Sequence, residues 1–208
     1  MSKQRKAPGE LERVRRFVNT RQVANRTDLL IDTATMAEWF AADGLAPREL
    51  RATRADLARA IELREALRAV LFAHNDGESA PAEASRTLDA TARRARLRLH
   101  FGDDGSASLV PDAAGVDGAL GRLVAIVHDS IAQGTWTRLK ACRDHTCAWA
   151  FYDHTKNRSG AWCSMELCGN RSKARTHRER HAAPAGDRRR ASGNQTRLSQ
   201  PTTGAGRP

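Results

Sequence analysis

All four cysteines of the chain lie in two C-x4-C pairs, which fifteen residues separate: Cys142 with Cys147, and Cys163 with Cys168. A zinc ion needs four soft donors at the corners of a tetrahedron, and two short loops can each supply two thiolates. The spacing therefore predicts one structural zinc ion. A site with four thiolate ligands has no open coordination position, so we expect this metal to hold shape rather than to catalyse a reaction.

Two other fates of the four thiols have to be considered. Two disulfides would use the same cysteines, but residues 1–10 lack the apolar core of a secretory signal, which favours a reducing, cytoplasmic location. An iron–sulfur cluster is the alternative metal group, and the compact pair of short loops favours zinc. Because four cysteines already complete the shell, we interpret the neighbouring His145 and His154 as surface or turn residues.

A basic segment follows the last cysteine, and we predict that it forms a helix beginning near Cys168. Within it, arginines spaced i, i+4 and i+7 share one helical face. Arginine makes bidentate contacts with phosphate and with guanine. A solvated helix face is the alternative interpretation. The predicted nucleic-acid-binding residues are Arg171, Lys173, Arg175, Arg178 and Arg180.

The charge of the chain is distributed unevenly. The net charge of +11 is the sum of a nearly neutral part and a basic part. Residues 1–137 carry 20 basic and 19 acidic side chains, whereas residues 138–208 carry 15 and 5. Such asymmetry is typical of a polyanion-binding part joined to a neutral one, and we expect DNA as the partner, with RNA as the alternative. No apolar run reaches the ~20 residues of a membrane span, so we expect no membrane partner.

The elements that must position these residues can be predicted from hydrophobic periodicity. Residues 29–43 form an apolar stripe at helical spacing, and helices are also predicted over residues 49–77, 82–95 and 117–133. Residues 96–110 alternate about a GDDG turn and predict a β-hairpin. Residues 1–16 are polar and charged, and we expect them to be frayed. The fifteen residues between the cysteine pairs predict a second hairpin, with DHTKNRSG as its turn.

The predicted fold class is α+β: a mostly helical N-terminal domain with one β-hairpin, then a small four-cysteine zinc module made of a hairpin and a basic helix. The predicted boundaries are residues 1–137, of which 1–13 are disordered, then 138–182, and then 183–208. The last segment is rich in Pro, Gly, Ser, Thr and Arg, so it cannot bury enough apolar surface to order itself, and we expect a disordered basic tail.

Two stretches of the sequence resemble known families. The run Cys168–Arg171, with Trp162 just before Cys163, resembles the CGNR zinc finger. FVNTR at residues 17–21, the predicted helix with Trp39 and LREALRAVL at residues 63–71 resemble the ABATE domain that accompanies this finger. The resemblance implies a stress-induced bacterial transcription regulator in which the finger binds DNA and the ABATE domain senses or regulates.

The same resemblance implies roles for individual residues. Cys142, Cys147, Cys163 and Cys168 match the zinc ligands of the family, and Gly169, Asn170 and Arg171 match its signature. We expect Gly169 to let the backbone pass close to the metal, and Asn170 to serve the local structure. The chain departs from the family pattern at three positions: Ala148, where glycine is common, and Gly160 and Ala161, where two basic residues are usual.

The N-terminal domain offers few residues for chemistry. Asn19, Arg21 and Asp28 are polar residues in a partly apolar segment and could line a small ligand pocket for an effector. No catalytic constellation is visible, so we predict no enzyme. Two alternatives to DNA binding remain open: RNA binding by base stacking on the aromatic residues of the finger, and a redox switch in which oxidation releases zinc. The sequence leaves the oligomeric state open. The aromatic residues in question are Trp149, Phe151, Tyr152 and Trp162.

Overall fold

The computed structural model describes the backbone of residues 6–182 and the side chains of residues 6–178. Five helices and two hairpins precede the cysteines, and a third hairpin and a further helix frame them. The helices are α1 Leu11–Val18, α2 Thr33–Ala42, α3 Arg54–Asp76, α4 Ala82–Arg94, α5 Gly115–Ala132 and α6 Asn170–Ala182. The strands are β1 Arg21–Gln22, β2 Thr27–Asp28, β3 Leu97–Phe101, β4 Ala107–Pro111, β5 Leu139–Ala141 and β6 Ala150–Tyr152.

The predicted α+β class is confirmed: a mostly helical region with small hairpins precedes a cluster of four cysteines. The longest predicted helix corresponds to α3, and its ends follow local rules. Thr53 and Asp56 form a capping box at its start, and Gly77 ends it in the left-handed conformation (φ 68°). The hairpin predicted over residues 96–110 corresponds to β3 and β4, which pair antiparallel.

Two elements near the N-terminus differ from the prediction. Residues 1–16 were expected to be frayed, but α1 is a regular helix from Leu11 onward. Its apolar side chains Leu11, Val14 and Phe17 are all buried, and this short stripe is masked in the sequence by intervening arginines. A two-residue hairpin, β1–β2, was also missed, so the N-terminal region contains two hairpins rather than one.

The hairpin of the cysteine region was predicted with the wrong partner. We expected the residues between the cysteine pairs to fold on themselves, but β6 pairs with β5, which precedes Cys142. Residues 142–149 therefore form the connection, and the DHTKNRSG segment follows the hairpin instead of closing it. The short strand β5 has only three residues, too few for an alternating pattern to reveal it.

The apolar core lies around α3, with α1, α2 and α5 packed against it. An aromatic cluster joins two of these helices: the ring of Phe17 lies 5.6 Å from that of Trp39 and 6.1 Å from that of Phe40. Leu139 and Ala141 of β5 and Ala150 of β6 belong to the same core. The strands next to the cysteines thus share the hydrophobic core of the N-terminal helices.

Of the described residues, those up to Asn170 form one compact unit, and those from Arg171 onward belong to a second. The domain boundary at residues 137/138 stays a prediction, and the expected disorder of residues 183–208 lies outside the described residues. Among the helices of residues 6–182, none combines the length and the apolar character needed to cross a membrane.

Candidate metal centre

The first cysteine loop, Cys142–Cys147, is held by short-range hydrogen bonds. The backbone N–H of Cys142 donates to the carbonyl of Trp149 (2.9 Å), and that of Cys147 donates to the carbonyl of Asp144 (2.8 Å). The carboxylate of Asp144 accepts from the backbone N–H (3.1 Å) and the hydroxyl (2.7 Å) of Thr146. These bonds fold the loop tightly enough to aim both thiols at one point.

The second cysteine loop, Cys163–Cys168, leads into a turn of π-helix at Met165–Gly169. Ser164 begins this turn: its hydroxyl accepts from the N–H of Leu167 (3.3 Å), and its carbonyl accepts from the N–H of Cys168 (3.0 Å). Arg143 donates its backbone N–H to the carbonyl of Ala161 (2.9 Å), which fastens the two loops to each other.

The four sulfur atoms fit a single zinc ion. All lie within 4.8 Å of one another, with 3.6 Å between Cys147 and Cys163 and 3.7 Å between Cys163 and Cys168. A tetrahedral site with zinc–sulfur bonds of about 2.3 Å requires sulfur–sulfur distances of about 3.8 Å. The four thiols are free rather than joined as disulfides. The predicted site of one structural zinc ion is therefore confirmed.

The electrostatics of the cluster also call for a cation. Hydrogen bonds from Cys142 and Cys163 lower the pKa of Cys147 to about 2. The hydrogen bond with Cys142, followed by that with Cys147, raises the pKa of Cys163. Burial raises the pKa of Cys168 to about 12. Thiolates this close repel one another, and a divalent metal offsets that repulsion when it binds.

Side chains of α1 and α3 hold the backbone that follows the first cysteine loop. The guanidinium of Arg68 donates to the carbonyls of Ala148 and Val18, each at 2.7 Å. Asn19 donates to the carbonyl of Ala150 (2.9 Å) and accepts from its N–H (2.8 Å). Arg68 and Asn19 are 5% and 6% exposed, so neither side chain could make these bonds to water instead. Burial lowers the pKa of Arg68, and Glu65 opposes that shift.

The end of α3 makes a second set of bonds, to β5. His74 lies with Nδ1 2.8 Å from the carbonyl of Leu139, so this nitrogen carries the proton. Asn75 donates to the carbonyl of Ala141. Burial lowers the pKa of His74, which keeps the ring neutral. The ring of His145 stacks on that of Phe72, with 4.7 Å between the ring centroids. His145 is exposed, as expected for a residue in a turn.

A buried ion pair organises the segment between the two loops, and sequence reasoning missed it. The Nζ atom of Lys140 lies 3.0 Å from the Oδ2 atom of Asp153. Lys140 is 4% exposed and Asp153 is 0% exposed. Burial of Asp153 raises its pKa, but hydrogen bonds from Thr155, Lys140 and the N–H of Gly160 outweigh burial and lower it to about 2. The available signal was the D-x-T sequence at residues 153–155, which is typical of a side-chain-capped turn.

The same pair explains a departure from the family pattern. A Cβ added at Gly160 would lie 2.7 Å from the carboxylate of Asp153, too close for any side chain without rearrangement. Gly169 was expected to bring the backbone near the thiolates. This expectation stays a prediction; apart from its chain neighbours, the atoms nearest to a Cβ there would be those of Met165, at 2.9 Å, and Trp162, at 3.6 Å. Asn170 is exposed.

The predicted nucleic-acid-binding residues lie on α6. Arg171, Lys173, Arg175 and Arg178 are exposed, and the side chain of Arg180 lies outside the described residues. Only Glu179 carries an opposite charge along this helix. The structure thus provides a basic helix where the sequence predicted one, while nucleic-acid contact by these residues stays a prediction.

The three residues of the predicted ligand pocket make internal contacts. Asn19 binds Ala150, as described above, and Arg21 forms an ion pair with Glu65 at 3.5 Å. Asp28 accepts two hydrogen bonds, of 2.6 and 2.8 Å, from Arg64, which is 1% exposed. The pocket stays a prediction, and these contacts give each residue a structural role.

Comparison with known families adds to this geometry. Residues 12–135 match the family described as "ABATE: Putative stress-induced transcription regulator". Residues 138–181 match the CGNR zinc finger, so the two follow one another in the order that the sequence predicted. A search of curated proteins gave no significant match. The finger match spans the four cysteines and most of the basic helix.

Proposed function

The chain belongs to the ABATE family and carries a CGNR zinc finger, and on this premise we propose that it is a transcription regulator that binds duplex DNA through α6. The observation that carries the proposal is the row of exposed cations at Arg171, Lys173, Arg175 and Arg178. Cations placed along a helix can neutralise several phosphates and reach guanine edges in a major groove.

The zinc ion has a structural part in this function. Helix α6 begins at Asn170, two residues after the last cysteine ligand. Metal binding would order the second cysteine loop and the turn of π-helix that ends at Gly169, the residue directly before α6 in the chain. Because the site holds four thiolates, it leaves the metal no position for a substrate, which supports a regulator rather than an enzyme.

The N-terminal helices would supply regulation. Arg68 of α3 and Asn19 after α1 bond directly to the backbone after the first cysteine loop. A ligand that shifted α3 against α1 would therefore change the support of the metal site. We expect such a ligand to alter DNA affinity without touching DNA.

The test is DNA binding by zinc-loaded full-length protein, measured by fluorescence anisotropy over a salt series with a random-sequence duplex library. The variant R171A/R175A/R178A removes three cations of α6. The control R51A/R54A/R86A removes three exposed cations of the N-terminal region, so its net charge is the same. We expect the first variant to lose binding and to lower the salt dependence by about three phosphate contacts, and the control to bind like the wild type.

Equal losses in both variants would mean that overall charge, rather than α6, attracts the DNA. Binding that is weak, independent of sequence and unchanged in the first variant would contradict the proposal. In that case the arginines beyond residue 182 would account for the affinity.

RNA binding is the first alternative, and the burial of the aromatic residues weighs against it. Phe151 and Tyr152 are 1% and 6% exposed, so neither offers a ring face to a base. Trp149 and Trp162 are half-buried and remain available for stacking. Tighter binding to single-stranded RNA than to duplex DNA, lost in a W149A/W162A variant, would favour this function.

A redox switch is the second alternative. Cys147 and Cys163 are half-buried, so an oxidant could reach two of the four sulfurs. Zinc release at micromolar peroxide, followed with a chromogenic chelator, would favour the switch. A site that resists millimolar peroxide would leave zinc as a purely structural ion.

A further inference from the structure

Strand β3 exposes more apolar surface than a strand at the edge of a sheet usually does. Four of its five residues are exposed, among them Leu99 at 52% and Phe101 at 69%. Its partner β4 packs on α5, whereas β3 has less contact with the helices, and within residues 6–182 its outer edge pairs with no further strand. Long, apolar, unprotected edges invite pairing with another strand, and proteins usually block them with charge, proline or a bulge.

The apolar residues lie on one face of this hairpin. Leu99 pairs with Leu109 and Phe101 with Ala107, so each pair points to the same side. At the base of the hairpin the same face is covered: a Cβ on Gly121 of α5 would lie 3.5 Å from Leu97. Towards the tip the cover ends, and the apolar strip of Leu99 and Phe101 continues into solvent.

The hydrogen-bond pattern determines which backbone groups face the open edge. The N–H of Gly102 donates to Ser106 at 2.9 Å, so the even-numbered residues of the strand bond to β4. Pro111, which has no N–H, fits this alternation because it lies opposite Leu97, an odd-numbered residue. The backbone N–H and C=O groups of Leu97, Leu99 and Phe101 therefore point towards the open edge.

We propose that β3 forms a homodimer interface, in which two copies of the chain pair this strand antiparallel about a twofold axis at His100. In this register Leu99 of each copy lies opposite Phe101 of the other copy. Both residues are odd-numbered, so their free backbone N–H and C=O groups face each other. This single register therefore pairs the backbone hydrogen-bonding groups of the two edges and also places the two apolar strips side by side. The result is a four-stranded sheet, β4–β3–β3–β4, with one continuous apolar face.

The charges of the strand also favour a second copy as the occupant. Arg96 precedes the strand and Arg98 lies within it, each in an exposed ion pair with Asp112 of the same copy, and Asp103 and Asp104 follow the strand in the turn. Antiparallel pairing brings the basic beginning of one strand alongside the acidic tip of the other. A parallel arrangement would place like charges together, which opposes pairing. An isolated two-stranded hairpin is only marginally stable in water, whereas a four-stranded sheet with an apolar face can be stable.

The register can be tested by cross-linking. Only His100 lies opposite its own copy, at a position where the Cα atoms of an antiparallel pair are about 4.5 Å apart. This separation lies within the range that a disulfide can bridge. In zinc-loaded full-length protein, we expect H100C to form a covalent dimer under mild oxidation. S108C is the matched control: it lies directly across the hairpin from His100 but one strand farther from the axis, and we expect no cross-link.

The interface can be tested by self-association. The variant L99K/F101K adds two charges to the exposed edge, and A55K/S85K adds the same charge at exposed positions of α3 and α4. By sedimentation equilibrium, we expect the wild type and A55K/S85K to reach twice the chain's mass, and L99K/F101K to associate at least tenfold more weakly. At concentrations where both proteins are monomeric, their thermal unfolding should be the same, because both substituted side chains are exposed.

The proposal does not depend on DNA binding, so its outcome is separate from that of the function. A wild type that stays monomeric at all concentrations would overturn the proposal, and the exposed edge of β3 would then be a candidate binding site for a different protein. A dimer that survives in L99K/F101K, or that forms without any H100C cross-link, would also overturn it, because the interface would lie elsewhere or in another register.

Discussion

Ala148 adopts a left-handed backbone conformation directly after the last residue of the first cysteine loop (φ 51°). Glycine reaches this region without strain, whereas a residue with a Cβ loses roughly 1–2 kcal/mol. The family preference for glycine here thus has a physical basis, and this chain tolerates alanine in part because Arg68 holds the carbonyl of the same residue.

This conformation leads to the first prediction. A148G should change the free energy of unfolding little, because the relief of strain offsets the loss of a buried methyl group. A150G, in extended strand β6, should lower it by about 1–2 kcal/mol, since no strain is relieved there. Urea denaturation in excess zinc measures both. Equal losses in the two variants would contradict the strain at Ala148.

The ion pair between Lys140 and Asp153 leads to the second prediction. D153N should lower the free energy of unfolding at pH 7 by about 3–5 kcal/mol, because it leaves a buried ammonium without a counter-charge. K140M/D153N should lose less than D153N, since no charge then remains buried. Denaturation of the three proteins at one zinc concentration makes the comparison.

The same pair has a definite pH dependence. The pKa of Asp153 falls from 3.8 to about 2 on folding, so its contribution is complete above pH 3.8 and is lost as the pH falls to about 2. The stability difference between wild type and D153N should therefore shrink across this window. A difference that is the same at both ends would show that the ionised carboxylate contributes nothing.

At the scale of elements, α3 links the helical core to the metal site. Its middle carries Arg68, which bonds to the carbonyl of Ala148, and its last turns carry His74 and Asn75, which bond to β5. The third prediction follows: R68M should weaken zinc binding roughly tenfold or more, because the backbone beside Cys147 loses a donor. Competition with a chelator measures this affinity.

R59M is the matched control for this prediction. It removes the same charge from the same helix, but Arg59 pairs with Asp56 and Asp117, and neither contacts a cysteine loop. Its zinc affinity should equal that of the wild type. A similar loss in both variants would indicate general destabilisation of α3 rather than support of the metal site.

The elements differ in how far the sequence determines them. The zinc site could be predicted because ligand type and spacing alone define it, and α3 because 23 residues give a long periodic signal. Helix α1 has eight residues, and its apolar stripe is interrupted by arginines. Strand β5 and the bonds of Asn19 and Arg68 depend on partners that lie 9 to 131 residues away in the chain, and no local pattern specifies such distant pairs.

At the scale of the whole molecule, the metal site and the N-terminal helices should unfold together. Leu139, Ala141 and Ala150, which flank the first cysteine loop, lie in the same core as Phe17 and Leu67. The fourth prediction is that chelation of zinc lowers the melting temperature of the whole helical signal, followed by circular dichroism at 222 nm, and that readdition of zinc restores it. An unchanged transition after chelation would mean that the helical core is stable without the finger.

The docking of Arg68 on Ala148 also bears on how such a protein can change over evolutionary time. Recombination that moved the finger alone onto another body would leave the carbonyl of Ala148 without the guanidinium that donates to it, and the transplanted strand β6 without Asn19. Either loss would disfavour the recombinant from its first generation. The N-terminal helices and the finger should therefore be inherited together. Exchange of sequence between related genes should occur near the ends of the chain rather than between these two parts.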